Sequence, residues 1–256
     1  MGDRLTGRAV IVFGSATGIG AATVRRLAAE GARICAADIN FAGADALAAE
    51  LCAAGGDVFA TPVDVADEKS VNEAVKAAVA RLGCLDGAHL NAADLRIIHE
   101  DSDALALDLA VFDRTLAVNL RGQLLCTRAV LPHLLASGEG AIVYTSSAAA
   151  FSGEPARPAY AVAKSGLNAL MRHVASRWGR EGLTANAVAP GFTITAEMRA
   201  DGQIPEAFEA MMLAKTPGRR LGSSEDIAGV VAMLLSRDAR WINGQVYDVN
   251  GGELMR

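Results

Sequence analysis

Short apolar runs alternate with stretches of helical spacing along this chain, and that alternation admits few folds. Apolar runs fall at 8–13, 32–38, 57–65, 85–90, 141–147, 183–190 and 242–252. Most are nearly continuous in their apolar residues, the pattern of strands covered on both faces. Helix-spaced stretches lie between them at 19–30, 42–54, 67–82, 103–118, 120–137, 158–178 and 224–236, the last capped by Ser223 or Ser224. Gly31, Gly55 and Gly83 stand where three of these end, as helix stops do. Strands separated by helices lie parallel, with the helices packed on both faces. The expected fold is α/β: a doubly wound, seven-stranded parallel sheet between two helical layers.

The 256 residues suit one domain, large enough to bury a core without disulfide or metal staples. With 52% hydrophobic and 21% charged residues the chain is not of the disordered class. A net charge of −5 offers no basic face for nucleic acid and no general attraction to anionic membranes. No apolar run is long enough to cross a bilayer, and Asp3 and Arg4 precede no leader-like core, so a cytoplasmic protein is expected. Cys35, Cys52, Cys84 and Cys126 form no CxxC pair, and His89, His99, His133 and His173 form no HExxH, so no metal is expected. Residues 192–216 break the alternation with polar turns around Met198, Phe208, Met211, Met212 and Leu213, which reads as a substrate lid.

Gly14, Gly18 and Gly20 lie in the turn between the first apolar run and the first helical stretch. Glycine lets the backbone turn tightly and approach a ligand, and the free N–H groups of the following helix suit a pyrophosphate. Asp38 closes the second run, where a carboxylate accepts from the hydroxyls of an adenosine ribose and repels a 2′-phosphate. No Lys or Arg stands in the glycine turn or directly after Asp38 to offset that repulsion, so NAD is favoured over NADP. Tyr160 and Lys164 are one helical turn apart and share a face. An ammonium beside a phenol is expected to lower the Tyr pKa from about 10, making it a proton donor in one direction and an acceptor in the other. Ser147, ending the fifth run, could bond a substrate oxygen as charge develops on it. With three tyrosines and four lysines in the chain, a chance Tyr-x-x-x-Lys is expected only about 0.05 times.

Gly14, Asp38, Asp64-Val65, Asn91-Ala92, Asn119, Ser147, Tyr160, Lys164 and Pro190-Gly191, in this order, make the chain resemble the short-chain dehydrogenases/reductases, single-domain enzymes of the Rossmann type. The likeness spans essentially the whole chain, including its closing helix and strand. It implies that Tyr160 exchanges a proton with the substrate oxygen and that Lys164 holds the nicotinamide ribose. It implies further that Ser147 polarises the carbonyl and that Asn119 supports a water linking Lys164 to solvent. Cofactor contacts implied are Gly14, Ser15, Thr17, Gly18, Ile19 and Gly20 at the phosphates, and Asp38, Ile39, Asp64 and Val65 at the adenosine. Asn91 and Ala92 would line the cleft, with Pro190, Gly191, Thr193 and Thr195 at the nicotinamide end. Ala149, Phe151, Glu154, Arg157 and Met198 are the candidate substrate contacts. The resemblance also implies a homotetramer.

The chain departs from the family pattern in places. Phe13 stands where the family has Thr, Leu90 and Ala93 where it has Asn and Gly, and Asn250 where it often has Asp. Apolar packing between Phe13 and the 90–93 loop is expected to replace the family's hydrogen bond there. The leading reading is an NAD(H)-dependent oxidoreductase interconverting a secondary alcohol and its ketone. A second is a 3-oxoacyl-(acyl-carrier-protein) reductase, which needs a basic patch such as Arg172, Arg177 and Arg180 would give. A third is a non-catalytic NAD-binding subunit, against which the intact Asn119, Ser147, Tyr160 and Lys164 set speaks.

Overall fold

Strand and helix alternate as the apolar pattern requires. In a computed structural model, residues 3–200, 202 and 204–255 are described. The first half runs β1 (Ala9–Phe13), α1 (Gly18–Ala29), β2 (Arg33–Asp38), α2 (Phe41–Ala53), β3 (Asp57–Pro62), α3 (Glu68–Leu82) and β4 (Gly87–Leu90). It continues with α4 (Leu109–Leu116), a π-helical turn (Ala117–Gly122), α5 (Gln123–Ala136), β5 (Ala141–Thr145), α6 (Pro158–Trp178) and β6 (Thr184–Pro190). Then follow β7 (Thr193–Ile194), α7 (Ala196–Ala200), α8 (Glu206–Lys215), β8 (Gly222–Ser223), α9 (Ser224–Leu235) and β9 (Val246–Val249).

Seven strands form one parallel sheet in the order β3-β2-β1-β4-β5-β6-β9. The order reverses between β1 and β4, so connections leave those two strands on opposite faces and open a crevice at their C-terminal ends. Both faces are buried, as the near-continuous apolar runs demand. Ile11 and Phe13 pack toward a core shared with α3, α5 and α6, whereas Val10 and Val12 pack toward α1, α2 and α9. No helix among the described residues is long and apolar enough to cross a membrane.

The largest departures from the sequence reading lie at three places. The helix expected from 103 begins only at Leu109. Asp103 instead takes the Leu105 and Ala106 N–H groups into a local turn, and Asp108 caps α4 through Ala110 N. The break expected near 119 is closed by the π turn, so helix continues from α4 into α5. The last strand is confined to 246–249, since Gly244 and Gly251 on either side adopt positive φ, 74° and 64°. The 192–216 segment is less irregular than its sequence suggests. It carries α7 and α8, and β7 pairs with β8 in a separate two-stranded sheet. Ser223 is the residue that caps α9, in a reciprocal box with Asp226.

Candidate active site

The glycine turn follows β1 at the point where strand order reverses. Gly14 adopts φ 77°, and a Cβ there would fall 2.6 Å from Ala92 Cα. At Gly20 a Cβ would fall 1.8 Å from Gly14 O. Glycine is thus obligatory at both positions. Ser15 is fully buried, and its Oγ has no hydrogen-bond partner among the described residues. Thr17 precedes α1 without capping it, and Ile19 is half-buried in the first turn. The Gly18 N–H, the first of α1, is taken by a carboxylate from α7, Glu197 Oε1 at 3.2 Å.

Asp38 ends β2 with its two oxygens accepting from Ala16 N and Asn40 N, each at 2.8 Å. It forms no ion pair among the described residues, and Ile39 beside it is 65% exposed. Asp64 Oδ1 accepts from Ala66 N, while Val65 is buried where the π turn comes close through Gly122.

Phe13 and Leu90 are register partners on β1 and β4, both fully buried in one core. The apolar contact expected there is present, but it does not act alone. Asn91 N donates to Phe13 O at 3.2 Å and Asn91 Nδ2 to Gly14 O at 2.8 Å. The hydrogen bonding between the two loops passes through Asn91 and needs no threonine at 13. Asn250 ties the C-terminal turn, donating to Leu254 O and accepting from Gly252 N.

Ser147, Tyr160 and Lys164 come together above β5. Ser147 lies two residues past the strand and hydrogen-bonds the Tyr160 phenol. Tyr160 and Lys164 sit in the first turns of α6, with Lys164 Nζ 5.6 Å from the Tyr160 ring centroid. Lys164 is buried, and its Nζ donates to Thr145 O at 2.7 Å. Burial pushes its pKa down to about 8. The expected lowering of the Tyr160 pKa is not found here. Burial, the largest influence, raises it, although the Ser147 hydrogen bond and the Arg157 charge pull the other way. The ammonium lies against the ring, is bonded to a carbonyl, and is itself weakened by burial.

Asn119 lies in the π turn, a distortion often found at functional sites. Its Oδ1 accepts from Asp94 N at 2.8 Å, and its Nδ2 is buried with no hydrogen-bond partner among the described residues. Asp94 is held by Arg96 and Arg114, which keep its carboxyl well below the usual carboxylate range. Sequence reasoning overlooked Asp101, a buried loop carboxylate that accepts from Ala159 N and Tyr160 N and so caps α6. No periodicity signals such a cap, because the carboxylate comes from a distant loop.

Around the mouth, Ala149 is buried, and Phe151 and Met198 are half-buried. Glu154 and Arg157, expected as separate polar contacts, pair with each other. Pro190 ends β6, and a Cβ on Gly191 would meet Asn250 Cβ at 2.7 Å. Thr193 Oγ1 donates to Gly191 O, and Thr195 Oγ1 accepts from Met198 N. Phe192 meets Phe208 edge-on at 5.4 Å, joining the segment after β6 to α8.

The crevice suits a dinucleotide. Its glycines leave a cradle that Cβ atoms would fill, Ser15 Oγ is an orphaned polar atom beside it, and Glu197 already places an anion on the helix N-terminus. A doubly wound parallel sheet with this turn at its switch point defines a dinucleotide-binding α/β protein.

The chain belongs to the short-chain dehydrogenase/reductase family of oxidoreductases, whose members in general bind NAD(P). A family model described as enoyl-(acyl carrier protein) reductase matches residues 14–253. Levodione reductase of Leifsonia aquatica is 35% identical over 257 residues, covering 98% of this chain and 95% of the relative. Cis-4-hydroxycyclohexanecarboxylate dehydrogenase of Sinomonas cyclohexanicum is 36% identical over 252 residues, covering 98% of both chains. A crystal structure of levodione reductase superposes with a TM-score of 0.89 at 35% identity, again covering 98% of each chain. These likenesses support alcohol–ketone interconversion in general terms.

Proposed function

We propose that the protein is an NAD(H)-dependent oxidoreductase interconverting a secondary alcohol and its ketone. The observation that carries this reading is the gathering of Ser147, Tyr160 and a buried Lys164 beside a glycine turn whose carboxylate, Asp38, has no cationic partner among the described residues. When bound, the nicotinamide accepts a hydride from, or gives one to, the carbon that bears the oxygen. Gly14, Ser15, Thr17, Gly18, Ile19 and Gly20 would hold the phosphates, and Asp38, Ile39, Asp64 and Val65 the adenosine. Asn91, Ala92, Pro190, Gly191, Thr193 and Thr195 would line the cleft toward the nicotinamide.

Tyr160 passes a proton to the substrate oxygen in reduction and takes it back in oxidation. Its raised pKa keeps the phenol protonated at neutral pH, which suits the reducing direction. Ser147 bonds the same oxygen and steadies the charge that develops on it. Lys164 holds the ribose hydroxyls and, with Asn119, joins the proton path to solvent. Ala149, Phe151 and Met198 offer the substrate a largely apolar wall. The names of the two relatives make ring-bearing alcohols sensible first candidates. Exposed Leu105, Leu109, Leu124 and Trp241 support a homotetramer, which light scattering would show as a mass near four chains.

Initial rates on secondary alcohols, cyclohexanols, diols, hydroxysteroids and 3-oxoacyl thioesters, with both nicotinamide cofactors, test the reading. Turnover of an alcohol or ketone with NAD(H) that falls at least about a hundredfold in Tyr160→Phe is expected. Undiminished turnover in that variant overturns the mechanism. Thioester reduction with NADPH would replace the reading with the acyl-carrier one, which the family model's description raises.

A further inference from the structure

A buried histidine lies beside this crevice with no part in the chemistry above. His89, in β4, is fully buried, and its Nε2 lies 2.9 Å from Thr145 Oγ1 at the end of β5. Thr145 Oγ1 is 3.0 Å from Asn91 Oδ1, and Asn91 Nδ2 is 2.8 Å from Gly14 O. The direction of each bond follows from the far end. Gly14 O is a carbonyl and only accepts, so Asn91 must present its nitrogen there. That leaves Asn91 Oδ1, another acceptor, facing Thr145, which must donate its hydroxyl proton. Thr145 Oγ1 then accepts from its other side, and the nitrogen facing it, His89 Nε2, carries the hydrogen. His89 is therefore the neutral Nε2–H tautomer. Consistently, Nδ1 is buried without a hydrogen-bond partner among the described residues, and burial pushes the imidazole pKa down to about 3.

The relay ends where the nucleotide turn is tightest. A Cβ on Gly20 would fall 2.9 Å from Asn91 Nδ2, so the carboxamide fills the angle between Gly14 and the first turn of α1. Thr145 also gives its carbonyl to Lys164. One threonine thus joins the glycine turn to the lysine.

We propose that His89 is a positioning residue: as a fixed donor to Thr145 it orients the Asn91 carboxamide, and through it the Gly14 turn, for a nicotinamide dinucleotide. The inference rests on the dinucleotide reading above. Without the donor, Thr145 is free to turn its hydroxyl elsewhere, and Asn91 loses the partner that fixes which way it faces.

Two measurements test it. Nitrogen-15 NMR of the unliganded protein reads the His89 tautomer; Nε2–H, unchanged between about pH 5 and 8, is expected. A titrating or Nδ1–H imidazole overturns the proposal. Calorimetric titration with NAD⁺ then compares wild type, His89→Leu and His89→Gln, with thermal unfolding as a check on folding. His89→Leu is expected to weaken binding about fivefold, the effect of one neutral hydrogen bond, and to leave kcat within about twofold. His89→Gln, whose amide reaches the same point, restores binding. If His89→Leu fails to fold, Thr145→Val removes the same link and is expected to give the same fivefold loss. Wild-type affinity in the folded donor-less variant overturns the proposal alone. Failure of the wild type to bind either NAD⁺ or NADP⁺ overturns the dinucleotide reading, and the proposal with it.

Discussion

Lys164 is held at a cost to the fold in the place where the proposed chemistry would need it. Its pKa is lowered by burial to about 8 from 10.5, so the folded state binds its proton less tightly than the unfolded chain does. The penalty is complete below about pH 8 and disappears as pH rises through 10.5, where both states are neutral. The difference corresponds to about 3 kcal/mol, from which the lost hydrogen bond to Thr145 O takes about 1. Lys164→Met is therefore expected to be more stable than wild type by about 1–2 kcal/mol at neutral pH and to lose turnover. Denaturant unfolding of both proteins at several pH values checks this. The gap should narrow from pH 8 upward, and a gap that widens would show that the lysine is not strained. The spacing of Tyr160 and Lys164 was legible because a helix has a fixed period. The raised Tyr160 pKa was not, because burial and the direction of an ammonium depend on residues far apart in the chain.

At the level of elements, α6 carries the proposed reactive face, and its first turn is set from outside the helix. Asp101 accepts from Ala159 N and Tyr160 N, while Arg157, just before the helix, is held at φ 66° by bonds from its N–H to Asp101 O and Ser102 O. Asp101→Ala removes the cap and should cost about 1–2 kcal/mol in chemical unfolding and lower kcat, since Tyr160 loses its backbone anchor. Asp101→Asn, which still accepts, should keep most of both. Arg157→Gly relieves a left-handed conformation that arginine adopts only at some cost, and a stability change between about 0 and +1 kcal/mol is expected. A clear destabilisation would mean that the Glu154 pair outweighs the strain. The strands and α6 were readable because continuous apolar runs and helical spacing survive burial on both faces. Residues 103–108 were misread as helix because Asp103 and Asp108 turn the chain with their side chains. A period search does not weigh that local competition.

For the molecule as a whole, the 192–216 segment meets the glycine turn at Gly18, and so the two are coupled. Glu197 in α7 places a carboxylate on Gly18 N, and Thr195 Cγ2 lies 3.3 Å from where a Gly18 Cβ would be. On the proposed reading a dinucleotide phosphate would seek that same N–H, so binding would displace the carboxylate, and the 192–216 segment would move with it or the side chain turn away. Burial pushes the Glu197 carboxyl up, but the N–H groups of Glu197 and Gly18 and the Thr195 hydroxyl outweigh it and hold the pKa below its ordinary value. The carboxylate therefore stays charged across the neutral range, and its competition does not fade there with pH. Glu197→Gln removes the charge and keeps the shape. It is expected to tighten NAD⁺ binding about threefold to tenfold. The gain should hold from about pH 6 to 9 and shrink at high salt, as an electrostatic term does. Fluorescence titration of both proteins measures it. Weaker binding in the variant would mean that Glu197 supports the ligand instead of standing in its place.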